Sequence, residues 1–388
     1  MKASPGSEER AAKTAAESAG SRGVVVVYPC TAYRDPRRHE RVTLTALARE
    51  LAVIKGWEFG GEFDPARAYD IPLYFVPSDT LPSLDFARGL GIHGEAELFG
   101  GVVPYPFAAT KTITHALPEP GGSGPRGWSA DFARRVQPVV LPGYSAFTRD
   151  DARRAAERLL VRGAVRLKRA DGIGGSGQAV IRNTEELAAQ LDQLDATELA
   201  RAGVVLERNL AEVETCSVGR VRVGDLVATY FGTQQLTPNN RGELVYGGSR
   251  LSVVRGDFDA LLPLAPTAAL RTAVEQAQRY HTAAMVSFPG MYASRCNYDI
   301  AQGLDEGGHW CSGVLEQSWR IGGASGAEIA ALKAFVADPG LDAVNASTVE
   351  VYGPAPALPD DAFVYFNGVD EHAGRITKYS RLELYGHP

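Results

Sequence analysis

Lys168-Arg169-Ala170-Asp171-Gly172-Ile173-Gly174-Gly175-Ser176-Gly177 is the stretch on which the reading of this chain turns. A loop so rich in glycine brings backbone N–H groups within hydrogen-bonding distance of phosphate oxygens, and a lysine on the adjoining strand adds a point charge. The alternative is a tight turn between two strands, which needs no ligand. Two familiar phosphate loops fit poorly. The stretch lacks the Gly-Lys-Ser/Thr ending of a P-loop, and it links strand to strand rather than strand to helix, which disfavours a dinucleotide fingerprint.

Working outward, Ala164 to Lys168 reads as the strand entering the loop and Ala179 to Arg182 as the strand leaving it. Upstream, Asp150 and Asp151 precede an Ala- and Arg-rich helix reaching Leu160; downstream, Thr184 caps a helix from Glu185 to about Leu194. Val204 to Glu207 is the next strand, and Ser217 to Tyr230 alternates around a Gly224-Asp225 hairpin turn. A helix covers Ala268 to Met285, and the short strands Asn297 to Ala301 and Gly313 to Glu316 flank a turn-rich Gly303 to Gly308. Near the start, Val24 to Tyr28 is a β-branched run suited to a strand buried on both faces. A helix from Val42 to Ile54 and a strand from Ile71 to Val76 follow, so an α/β layer is expected. Residues 117–127 are a Pro- and Gly-rich loop, and Thr348 to Tyr385 reads as β structure packed on a preceding domain.

The 388 residues exceed one ordinary core, and 45% hydrophobic with 22% charged residues is a globular composition. A net charge of -6 provides no broad positive field, so nucleic acid is not an expected partner. No apolar run approaches the roughly 20 residues that span a bilayer, so no membrane partner is expected either. Cys30, Cys216, Cys296 and Cys311 are scattered without a CxxC pair, which fits reduced thiols and a cytoplasmic location. The first twenty residues lack a signal-peptide core and read as a mobile tail.

Lys168 with its loop, the acidic segment Leu206-Glu207-Arg208-Asn209-Leu210-Ala211-Glu212-Val213-Glu214, and the later Asp299 and Glu316 together resemble, in order and spacing, the ATP-grasp superfamily. Biotin carboxylase and D-alanine:D-alanine ligase are the forms this chain looks like, over about residues 111–330. The resemblance implies an α/β and α+β protein with the ATP-grasp fold: an N-terminal α/β domain, a glycine-rich lid subdomain and a C-terminal metal-binding subdomain. Laid on the sequence, these give a tail at 1–20, the N-terminal domain at 21–110, a linker at 111–149, the lid at 150–206, the metal-binding subdomain at 207–345 and a β extension at 346–388.

By the same resemblance, Lys168 contacts ATP phosphates, Gly174, Gly175, Ser176 and Gly177 form the covering tip of the lid, and Lys111 is an earlier phosphate-contacting lysine. Glu207 and Leu210 offer groups to the adenine edge, and Glu214 accepts from the ribose hydroxyls. Asp299 and Glu316 are the magnesium ligands, a role suited to carboxylate oxygens. The family usually has Asn two residues after the second acid; here stands Ser318, a weaker ligand, which leaves a second metal open. Arg320 resembles an arginine facing the acceptor and the transferred phosphoryl group; the alternative is a structural partner of an acid. Tyr230, Gln234, Gln235, Asn239, Tyr246 and Arg250 are read either as an acceptor pocket or as an ordinary surface loop. None of the seven histidines is given a role.

The implied activity is an ATP- and Mg2+-dependent ligase that activates a carboxylate as an acyl phosphate for attack by an amine, with small-molecule substrates. A homo-oligomer stays open. The alternatives are a small-molecule kinase on the same fold, or a nucleotide-binding module without turnover.

Overall fold

Val24–Tyr28 (β1) lies at the centre of a parallel three-stranded sheet, between Glu58–Glu62 (β2) and Leu73–Pro77 (β3), as its β-branched run requires. The computed structural model of the chain describes residues 23–30, 38–170, 172 and 177–384. After β1 come α1 (Arg38–Lys55), β2 (Glu58–Glu62), β3 (Leu73–Pro77), α2 (Leu84–Gly89) and β4 (Gly101–Val102). Leu44, Leu47, Ala48 and Leu51 form the buried stripe of α1, with Glu40 and Lys55 at the ends that suit their charge. The strand β2 was hidden in the sequence by its composition, Glu-Phe-Gly-Gly-Glu.

Next are α3 (Ala130–Val136), β5 (Gly143–Ala146), α4 (Arg149–Leu160), β6 (Val165–Arg169), β7 (Gln178–Ile181), α5 (Thr184–Asp192), α6 (Ala196–Ala202) and β8 (Val204–Arg208). The strands form an antiparallel sheet ordered β5-β8-β6-β7. Asp150 and Asp151 lie within the first turn of α4, whose cap is Thr148, and Asn183 rather than Thr184 caps α5. In each case the residue whose side chain reaches the third amide onward does the capping.

Then follow β9 (Ala211–Val223), β10 (Leu226–Pro238), β11 (Leu244–Arg255), α7 (Ala268–Ser287), β12 (Tyr292–Ala293), β13 (Arg295–Leu304), β14 (Trp310–Ser318), α8 (Ser325–Ala337), β15 (Ala343–Tyr352), β16 (Phe363–Asp370) and β17 (Gly374–Leu384). Eight of these strands form one antiparallel sheet, β14-β13-β9-β10-β11-β15-β17-β16. The C-terminal strands thus continue the large sheet, β15 pairing with β11, rather than packing on it as a separate layer. Strand alternation divides β9 cleanly. Cys216 and Val218 join a core with Val274, Ala277, Tyr280 and Ala284 of α7, whereas Val221 and Val223 meet α1 and α8 on the other face. No helix among the described residues is long and apolar enough to cross a membrane.

A short 3₁₀ turn, Lys111–Thr114, sits where the two antiparallel sheets meet. Ser145 of β5 donates to the Thr112 carbonyl, Gln317 of β14 donates to the Thr110 carbonyl, and the hydroxyls of Thr114 and Tyr280 of α7 are 3.0 Å apart. The segment is fastened to both sheets.

Candidate functional site

Lys168 on β6 extends its ammonium to Glu207 on β8, Nζ to Oε1, at 2.5 Å, and His115, just past the 3₁₀ turn, places Nε2 3.2 Å from Glu207 Oε2. All three are buried. Burial alone would raise the Glu207 carboxyl; the Lys168 charge and the His115 contact outweigh it and hold the group at about 2. His115 fits under β5 because residue 143 is glycine: a Cβ there would meet the imidazole at 2.8 Å.

Four residues before His115, Lys111 binds Glu316 of β14, Nζ to Oε2, at 2.6 Å and donates to the Gly172 carbonyl at 2.7 Å. Glu316 faces Asp299 of β13 across the strand pair. A β-bulge makes this possible. Val314 is buried against α7 while Glu316 faces the other side, although residues two apart in a regular strand share a face; the pairings 316 to 299 and 314 to 300 leave Leu315 as the extra residue that changes the phase.

Asp299 Oδ1 accepts from Ser217 Oγ at 2.8 Å, Asn297 Nδ2 at 3.0 Å and Gln234 Nε2 at 3.1 Å. Burial first, and then the Glu316 carboxylate, push its carboxyl above the usual range. Two like charges held this close are relieved by a divalent cation. The donor set is all oxygen, which suits magnesium: Asp299, Glu316 and the Ser318 hydroxyl share one face. Among the described residues no group of three or more His, Cys, Asp or Glu is arranged to hold a metal. Two carboxylates are the number expected where phosphate and water complete a magnesium shell.

A second buried ion pair stands behind these acids. Arg295 of β13 donates from Nη2 to Glu328 Oε1 of α8 at 2.7 Å, and its Nη1 donates to the Ser318 and Arg320 carbonyls and to Ser318 Oγ. Tyr230 joins Glu328 to Asn297. Arg320 is half-buried, with Nε 3.7 Å from Asp79 Oδ1 of the loop after β3.

The structure therefore brings together Lys111, Lys168, Glu207, Asp299, Glu316 and Ser318, linked by the Lys111 turn and the Gly172 carbonyl. Glu214 stands apart. It is exposed and lies three residues before Ser217 on a regular part of β9, so alternation turns it to the opposite face. Leu210 is buried against Leu141 and Ala301, and the Glu207 carboxylate is already engaged by Lys168 and His115. Gly177 has φ +67° and its carbonyl accepts from Arg169, closing the strand pair. Gly174, Gly175 and Ser176 lie outside the described residues, as does the tail at 1–20. Of the proposed acceptor stretch, Gln234 reaches Asp299, while Asn239 bonds Glu243 at the hairpin tip. Sequence reasoning missed His115, Asn297, Ser217 and the Arg295–Glu328 pair. Only Asn297 carried a signal, its two-residue spacing from Asp299 on one strand.

Residues 27–380 match a family described as protein of unknown function, DUF3182. The chain belongs to that family. No curated protein matches the sequence. Among solved structures, the DUF3182 chain is similar to N5-carboxyaminoimidazole synthetase from Staphylococcus aureus complexed with ADP, at 11% identity and TM-score 0.54, over 95% of this chain and 94% of that one. A second structure of the S. aureus enzyme gives 12% identity and TM-score 0.51 over 94% and 93%. Biotin carboxylase from Campylobacter jejuni gives 10% identity and TM-score 0.48 over 95% and 89%. The DUF3182 chain has the ATP-grasp fold, as the sequence motifs implied.

Proposed function

We propose that this protein is an ATP- and magnesium-dependent ligase that activates a carboxylate as an acyl phosphate for attack by an amine. The observation that carries the reading is the convergence of two lysines and three carboxylates at the junction of the two antiparallel sheets, with Lys111 spanning Glu316 and the carbonyl of Gly172. The ADP complex of the S. aureus enzyme, which shares this fold, supports a nucleotide as one substrate.

In the proposed reaction a substrate carboxylate oxygen forms a bond to the γ-phosphorus while the bond to the β,γ-bridging oxygen breaks, and ADP leaves. An amine then bonds to the acyl carbon, phosphate departs and the nitrogen loses a proton. Lys111 exchanges its Glu316 contact for a phosphate oxygen, which frees Glu316. Lys168, fixed by Glu207, keeps a positive charge at the root of the glycine-rich stretch, and Arg320 balances charge on the acceptor side. Asp299 and Glu316 would hold magnesium, which when bound neutralises phosphate charge.

The test is ADP release with pooled carboxylates in the presence of hydroxylamine. An acyl phosphate gives a hydroxamate detectable by mass. ADP release yielding a stable phosphoester would instead establish a kinase, and nucleotide binding without release across the panel would establish a non-catalytic module.

A further inference from the structure

The hydroxyl of Tyr230 lies 2.9 Å from Asn297 Oδ1 and 2.6 Å from Glu328 Oε1. Both partners are acceptors, and a phenol carries one proton. Glu328 is closer and is charged in its pair with Arg295, so it takes that proton. Asn297 Oδ1 is then left against an oxygen lone pair. All of these groups are buried, where an unmet polar atom costs about 1–3 kcal/mol.

Half a turn of the Asn297 amide about Cβ–Cγ exchanges Oδ1 and Nδ2 within the same volume. Nδ2 then donates to the Tyr230 oxygen while Tyr230 donates to Glu328, and that side of the network is complete. The cost moves to the other side. In the arrangement described, Nδ2 donates to Asp299 Oδ1 at 3.0 Å, so after the turn two oxygens face one another at that distance. A cation between them removes the repulsion. Adjacent oxygen ligands on an octahedral magnesium, each 2.0–2.1 Å from the ion, stand about 3 Å apart.

We propose that Asn297 is the third protein ligand of the cation held by Asp299 and Glu316, its amide oxygen turning toward Asp299 as the cation binds. The strand register supports this. Asn297 faces Ser318 directly across β13 and β14, on the same face as the two acids. The amide oxygen thus comes from β13, while Ser318 Oγ already gives one of its two lone pairs to Arg295. Hydrogen-bond count at Tyr230 favours one orientation of the amide and Asp299 favours the other; the cation decides between them. This inference rests on the proposed cation-dependent function.

Mn2+ binding to the full chain with ADP, followed by the electron paramagnetic resonance signal of free Mn2+, tests it without any turnover. Asn297→Ala should weaken Mn2+ about tenfold. Ser318→Ala should change it less than about twofold, and Ser318→Asn added to Asn297→Ala should recover most of the loss. Mn2+ affinity unchanged in Asn297→Ala overturns the proposal. Should that variant not fold, Asn297→Asp keeps the shape and adds a charge. Its melting temperature should then rise more on adding Mn2+ than the parent's does, and an equal or smaller rise overturns the proposal. A parent protein that binds no Mn2+, or a Glu316→Gln variant that binds it normally, removes the cation site itself and with it the functional reading.

Discussion

At the scale of single residues, the arrangement depends on charges that are buried only because they are paired. Replacing Glu207 with Gln would leave the Lys168 ammonium in an apolar setting, and breaking a buried pair from one side costs about 3–5 kcal/mol. Urea denaturation should report that loss, with Lys168→Met added to Glu207→Leu recovering much of it. A loss below about 1 kcal/mol would mean that Lys168 does not depend on Glu207. Glu316 is one-third exposed but its partner Lys111 is buried, so Glu316→Gln should lower the urea midpoint while leaving the chain folded, and should abolish magnesium-dependent ADP release. Near-normal release would remove Glu316 from the cation role. Lys168, Glu207, Asp299 and Glu316 were legible as landmarks because each sits in a short motif. Their partners were not. The Lys168–Glu207 contact needs the β6–β8 register, and Ser217 meets Asp299, 82 positions further along the chain, only because β9 pairs with β13.

At the scale of elements, Leu315 sets the phase of β14. Its deletion would force either Glu316 into the α7 core or Val314 out of it, and burying an unpaired carboxylate or losing a buried Val are both severe. The expected result is failure to fold, or a protein without Mn2+ binding, whereas Leu315→Ala keeps the phase and should bind Mn2+ normally. Normal binding in the deletion would show that the bulge does not matter. The α1 start depends on Asp370 of β16. Burial would raise this carboxyl, but backbone N–H groups of Ala373, His39 and His372 prevail and hold it at about 2, below the 3.8 expected when unfolded. The unfolded chain therefore takes up the proton first. The stabilisation is intact above about pH 5 and lost as pH falls toward 2. His281 of α7, held at about 4 by burial and then by Arg220 against 6.5 when unfolded, has the same sign: its contribution is lost between about pH 6.5 and 4. Asp370→Asn should flatten the lower limb of a stability–pH curve measured by urea titration, and an unchanged limb would contradict the assignment. Neither the bulge nor the cap could be read from sequence, because each exists only once distant strands have aligned.

Across the whole molecule, the sequence disclosed the order of strands and helices around the glycine-rich stretch because hydrophobic period and turn residues are local properties. It did not disclose that residues 343–384 extend the sheet that carries Asp299, since strand pairing is not local. The 111–116 segment read as linker because it lacks hydrophobic period, yet it is the part fastened to both sheets. ADP with magnesium should accordingly slow amide exchange together in β6, β8, residues 110–116 and the β13–β14 pair; at a hundred times its Kd a ligand adds about 2.7 kcal/mol. Protection confined to one sheet would contradict a shared site. The Asp370 cap has a further consequence for synthesis. Helix α1 takes a carboxylate partner from 331 residues later in the chain, so this contact at its start forms only once β16 has been made. Until β16 enters the sheet, the His39 amide has only water to bond.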